Sequence, residues 1–221
     1  MDNPSMPLVY WPALMLGAYL LGSIPFSQVM AKIKGVDLRT VGTGNVGAGN
    51  LKREVGLPWA IVAGLLDGLK GTAPVLVAAE MGLGPGASGL AGIAAVAGHN
   101  WSIFMRGRSG RGLATSAGLI LGLYWPYLIW TAGWSIVGWK IGGGLAGFLG
   151  WALLPILAVA LGRPATESLM LALLALILMG RRVQGNPDSP RESGFAMRRI
   201  LYDTDQDPNA PGDTAEDPLT S

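Results

Sequence analysis

A chain of 221 residues, 50% hydrophobic and 14% charged with a mean hydropathy of +0.41, carries more apolar length than one water-soluble core of that size uses. The absence of cysteine excludes disulfides, thiolate metal sites and cysteine nucleophiles, and a single histidine excludes a histidine-rich metal centre. The net charge of +2 conceals a segregation of charge along the chain, which becomes informative once membrane spans are drawn.

Asp2 precedes the first apolar run and no Lys or Arg occurs before Lys32, so a cleaved leader is not expected and the first helix is expected to remain. That run extends from Tyr10 to about Ile33, opens on the interface residues Tyr10 and Trp11, and closes on Lys32 and Lys34. Inside it, Ser23-Ile24-Pro25-Phe26-Ser27-Gln28 puts a proline and polar groups where lipid cannot satisfy them. A kink facing protein or a cavity is expected there.

Residues 34 to 57 read as a loop. Within them Val41-Gly42-Thr43-Gly44-Asn45-Val46-Gly47-Ala48-Gly49-Asn50-Leu51-Lys52-Arg53 gathers glycines, asparagines and two cations. Glycine lets a ligand approach the main chain closely, and successive N–H groups in a turn form an anion-binding concavity. Asn45 and Asn50 add amide donors, and Arg53 pairs a phosphate bidentately. The spacing Gly42-x-Gly44-x-x-Gly47 matches a dinucleotide fingerprint, but it follows a membrane span rather than a strand and lacks a P-loop ending, which argues against a nucleotide fold.

The second span, Trp59 to Met81, holds Asp67 and Lys70 three residues apart on one helical face, either as an internal ion pair or with Lys70 as a cation at the mouth of a site. After the turn Gly82-Leu83-Gly84-Pro85-Gly86, a third span runs from about Ala87 to Met105 and carries Gly98-His99-Asn100 near its end. Asn100-Trp101-Ser102 matches a glycosylation sequon only by chance, being inside a span. Arg106-Gly107-Arg108-Ser109-Gly110-Arg111-Gly112 then leads into Leu113-Ala114-Thr115-Ser116; a basic glycine-rich turn that opens a helix suits anions through its charge and through the unpaired helix N–H groups.

Residues 113 to 180 divide at Trp125-Pro126, at Lys140-Ile141-Gly142-Gly143-Gly144 and at Gly162-Arg163-Pro164, giving four further helices, the first too short for an ordinary span. Gly118-x-x-x-Gly122 and Gly143-x-x-x-Gly147 suit close helix contacts. The expected fold is an all-α polytopic membrane protein with seven membrane helices, one short, and six as the rival number. If the two glycine-rich loops, Lys140 and the tail are cytoplasmic, then of the 16 Lys and Arg residues only Lys70, inside a span, and Arg163, outside, lie elsewhere. The N-terminus is then outside, the C-terminus is cytoplasmic, and both candidate anion loops share one face. Residues 1–182 form the expected membrane domain and 183–221 a largely disordered cytoplasmic tail: positions 203 to 221 hold six acids and no base, with three prolines. Phe195 to Tyr202 reads as a short amphipathic surface segment.

Tyr19-Leu20-Leu21-Gly22-Ser23-Ile24-Pro25-Phe26, the 42–53 loop, Asp67-x-x-Lys70-Gly71-x-x-Pro74-Val75, and Gly98-His99 followed by Gly110-Arg111-Gly112-Leu113-Ala114-Thr115-Ser116-x-Gly118 resemble, in that order, the bacterial acyl-phosphate:glycerol-3-phosphate acyltransferases. The resemblance implies seven membrane helices and a metal-free, cofactor-free cytoplasmic site in the bacterial inner membrane. It also implies the reaction: the hydroxyl of glycerol 3-phosphate attacks an acyl phosphate, giving lysophosphatidic acid and phosphate for phospholipid synthesis. Acyl phosphate, glycerol 3-phosphate and membrane lipid are the implied partners; nucleic acid is not among them, and the oligomeric state is left open.

By the same resemblance, the catalytic candidates are Thr43, where the family carries a serine, Arg53 and His99. Gly42, Gly44, Asn45, Gly47, Asn50, Lys70, Arg108, Gly110, Arg111, Gly112 and Thr115 are the substrate-binding candidates. Arg111 stands for a family lysine and Gly49 for a threonine. The family's third motif, a His and an Asn after the last helix, has Arg181 and Gln184 at the nearest positions, and both are carried as substrate-binding candidates. Two other functions stay open: an inactive relative that binds lipid precursors or protein partners, and a small organic-phosphate transporter, suggested by the kinked first helix and Asp67/Lys70 although no internal repeat is visible.

Overall fold

The computed structural model describes residues 10–107, 109–140, 144–185 and 196–197, and among them every regular element is helical. Helix α1 (Trp11–Ser23) and α2 (Phe26–Ile33) make up the first apolar segment and are separated where expected, at Ile24-Pro25. Pro25 has no N–H, and Ile24 before it is extended at ψ 116°. The break turns main-chain carbonyls into the bundle, where they are met: Ser102 Oγ donates to the Ser23 carbonyl at 2.5 Å and Lys70 Nζ to the Ile24 carbonyl at 2.7 Å.

The 34–57 segment differs from its expected form, since it contains α3 (Ala48–Glu54). Val46 and Leu51 are buried, and this small apolar anchor folds a turn that the surrounding glycines mask in sequence. Helix α4 (Leu57–Glu80) has 24 residues, ample for a span of about 20. Helix α5 (Pro85–Asn100) stops before the expected Met105, because the chain turns at Trp101 and tightens into a 3₁₀ turn at Ile103–Met105. Helices α6 (Leu113–Leu123), short as expected, and α7 (Pro126–Lys140) follow. The next apolar run is divided at Leu153 into α8 (Gly144–Ala152) and α9 (Leu154–Ala160), a break not expected from sequence, and Pro155 removes a backbone donor there. Helix α10 (Ala165–Gln184) runs two residues past the expected domain boundary and ends at Gly185, whose φ of 63° is left-handed. The tail beyond Gly185, apart from Ala196 and Met197 within its 195–202 segment, and residues 141–143 lie outside the described residues.

Glycine sets the helix crossings that position the site. Along α4 and α6, a side chain at Gly71 would collide with the Thr115 carbonyl and one at Gly118 with the Gly68 carbonyl, and Thr72 Oγ1 donates to the Gly118 carbonyl at 2.8 Å. Gly22 and Gly98 bring α1 and α5 equally close. The first member of the Gly118/Gly122 pair thus makes the tight contact its spacing suggested, while Gly147 makes only ordinary contact with α7. One apolar core, including Val75, Leu119, Tyr127, Trp151, Leu171 and Leu174, joins α4 to α10. A second, formed by Ala31, Leu38, Val46, Leu51, Ala60, Ala63 and Met105, lies beneath the two glycine-rich loops. Large apolar side chains such as Leu65, Leu69, Ile129, Ile156, Leu169 and Leu176 point outward, as lipid-facing positions do.

Candidate active site

The first loop is shaped by two buried amides. Gln28 Nε2 donates to Asp37 Oδ1 at 2.9 Å while its Oε1 accepts the Leu38 N–H. Asn50 Nδ2 donates to the Leu38 and Val41 carbonyls, both at 3.1 Å, and its Oδ1 accepts the Thr43 N–H. Asn50, expected to offer donors to a ligand, is thus placed inside the loop with its amide bound to main chain. Between these anchors Gly42 and Gly44 take φ values of 55° and 66°, which a side chain disfavours, and Gly47 precedes α3 in extended form. Thr43 and Arg53 are exposed, and Asn45 is half-buried. Before these glycines, Arg39 grips Asp37 and holds its carboxyl well below the usual carboxylate range.

The second loop meets the first. A methyl group at Gly110 would strike His99 Nε2 and stand 2.8 Å from the Val46 carbonyl oxygen, so the two loops touch directly above the imidazole. Gly112, at φ 78°, is the N-cap of α6, and its α-carbon faces the Asn100 amide. Both amide atoms of Asn100 lack a protein partner, as do Thr115 Oγ1 and Ser116 Oγ on the first turn of α6. Buried polar atoms thus gather where the helix has unpaired N–H groups. Asn100 was missed in the sequence; its signal was the Gly-His-Asn run, of which only the histidine was weighed. Arg111 is half-buried in this loop, and Arg108 lies outside the described residues.

Beneath the contact, Asp67 Oδ1 lies 2.7 Å from Lys70 Nζ and 3.5 Å from His99 Nδ1, with all three side chains buried. Lys70 therefore stands between Asp67 and the Ile24 carbonyl, tying α4 to the break in the first segment. Arg181, 2% exposed, reaches the underside of the second loop: its Nε and Nη2 donate to the Gly110 and Ser109 carbonyls at 3.1 and 2.7 Å. Gln184 is exposed and its Oε1 accepts from Trp101 Nε1 at 2.9 Å. Among the described residues no three His, Asp or Glu side chains gather as a metal site.

Comparison with known proteins places this arrangement. Residues 12–188 match the model of the family described as glycerol-3-phosphate acyltransferase. The chain belongs to that family. It is 39% identical over 182 residues to the glycerol-3-phosphate acyltransferase of Thermus thermophilus, covering 78% of this chain and 87% of the relative. It is 40% identical over 185 residues to that of a Jannaschia species, covering 80% and 91%. The crystal structure of PlsY (YgiH), an integral membrane glycerol 3-phosphate acyltransferase, in its glycerol 3-phosphate form superposes with a TM-score of 0.71 at 31% identity, over 78% of this chain and 88% of that one. The lysophosphatidic acid form gives the same TM-score at 29% identity. This chain is therefore an integral membrane protein of the acyltransferase family, its described regular elements all helical, and the two touching loops belong to its matched part.

Proposed function

We propose that this protein transfers an acyl chain from acyl phosphate to glycerol 3-phosphate, forming lysophosphatidic acid and inorganic phosphate. The observation that carries the reading is the direct contact of two glycine-rich loops over buried His99, one bearing Thr43 and Arg53, the other Arg111 and the N-terminus of α6. Each substrate phosphate carries nearly two negative charges, so two phosphates brought together need facing donors on both sides. A site that orients two activated substrates and stabilises their charge supplies most of such a reaction.

The attacking hydroxyl oxygen bonds to the acyl carbon, the bond from that carbon to the phosphate oxygen breaks, and the phosphate leaves with the electron pair. A phosphate oxygen takes the hydroxyl proton, so the balance closes without a further reactant. Arg53, Arg111 and the amides of the two loops hold the phosphates, and the Thr43 hydroxyl orients the attack. Asn50 keeps the first loop in place, and Lys70 with Asp67 ties α4 to the break in the first segment. The distribution of Lys and Arg supports seven membrane helices with the N-terminus outside and the site on the cytoplasmic side of the bacterial inner membrane.

Purified protein given acyl phosphate and glycerol 3-phosphate is expected to release phosphate and form lysophosphatidic acid. Release no greater than that of an Arg53→Ala control would sink the proposal.

A further inference from the structure

A buried arginine normally needs a charged partner or a full set of acceptors, because desolvating a cation is costly. Arg181, near the end of α10, meets main-chain oxygens: Ser109 and Gly110 across the bundle, and Gly185 on its own helix end, where Nη1 donates at 2.9 Å. Nη1 also donates to Gln184 Oε1 at 3.3 Å, the same oxygen that accepts the indole N–H of Trp101. One side chain therefore ties the C-terminus of α10 to the second loop, and Gln184 ties that knot to the end of α5. A carbonyl that points at a guanidinium turns its peptide plane, so the N–H on the other side of the Ser109 and Gly110 peptides is fixed in direction as well.

We propose that Arg181 is a positioning residue for the second anion loop: by holding the Ser109 and Gly110 carbonyls inward, it aims the N–H groups of Gly110 and Arg111 at the substrate phosphate, with Gln184 as its brace. This replaces the expectation that Arg181 and Gln184 contact substrate. The proposal rests on the acyltransferase reading for its effect on activity, whereas its effect on the loop stands independently of any reaction.

The test is hydrogen–deuterium exchange of ligand-free protein in nanodiscs, wild type against Arg181→Met and Gln184→Leu, together with the apparent KM for glycerol 3-phosphate. In Arg181→Met, which loses both charge-assisted hydrogen bonds to the loop, amides of residues 109–113 are expected to exchange at least about tenfold faster, the factor that one such bond carries, while α4 is unchanged. The apparent KM is expected to rise about tenfold with kcat lowered less, and combining Arg181→Met with Gly110→Ala is expected to cost less than the product of the two, since both disturb one loop. Gln184→Leu, at an exposed position, is expected to give the same pattern at smaller size and serves alone if Arg181→Met does not fold. Unchanged loop exchange with a raised KM would overturn the proposal in favour of direct substrate contact. Unchanged exchange and unchanged kinetics would overturn it outright. Faster loop exchange in protein whose wild type releases no phosphate would uphold the clamp and defeat only the acyltransferase reading.

Discussion

Replacing Gly110 by alanine tests the loop contact on which the site depends. The added methyl would stand 2.8 Å from the Val46 carbonyl oxygen and closer still to His99 Nε2, whereas ordinary contact begins at 3.4 Å. The loops must therefore part by at least about 0.6 Å, and by more on the imidazole side, where a buried ring has little room. Overpacking of this kind costs about 1–3 kcal/mol of stability, which leaves a folded protein. A displacement near 1 Å between reacting groups costs about 10²-fold in rate, or about 2.7 kcal/mol of barrier. The expected result is a fall of about 30- to 100-fold in kcat/KM, measured by phosphate release from protein in nanodiscs. Gly49→Ala is the control: it lies in helical α3 with nothing within 4 Å of an added methyl, and its kcat/KM is expected to stay within about twofold. Folded Gly110→Ala with kcat/KM within about threefold of wild type would refute the loop-contact argument.

Asn50→Leu removes three hydrogen bonds and leaves the Leu38 and Val41 carbonyls without their amide; a loss of about 2–5 kcal/mol and a lower Tm are expected, with a raised apparent KM if any activity survives. Gly118→Val drives a branched side chain into the Gly68 carbonyl at the α4–α6 crossing, and size-exclusion chromatography of the detergent extract is expected to find little monodisperse protein. Asp37 has a depressed pKa, so its contribution is complete above the unfolded value of about 3.9 and is lost only as pH falls below that, through the folded value. Asp37→Asn is therefore expected to leave the shape of the pH–activity profile between about pH 5 and 8 unchanged; a shifted profile there would contradict the sign of that shift.

Much of this molecule was legible before its coordinates. The apolar lengths, the proline in the first segment, the short α6 and the cuts near Trp125 and Gly162 all follow from local chemistry, and so does the family resemblance carried by the ordered motifs. What was less legible depended on distant parts of the chain. The helix within the first loop was hidden by glycines that lower local propensity, and it forms because Leu51 and Val46 find Leu38, Ala60 and Met105 beneath them.

The site divides in the same way. By itself the sequence determined that cations, amides and glycines cluster in two stretches, because those residue types are readable one by one. Only the tertiary structure decided which donors face outward and which are claimed by the fold. Asn50, Lys70 and Arg181 all look like anion ligands in a list of residues, yet each is bound to main-chain carbonyls, with Lys70 and Arg181 reaching partners 46 and 71 positions away. The reason is the cost of a buried carbonyl left without a donor: the break at Pro25 leaves the Ile24 carbonyl to Lys70, the folded loops leave the Leu38, Val41, Ser109 and Gly110 carbonyls to Asn50 and Arg181, and nothing local in the sequence says which donor meets which carbonyl.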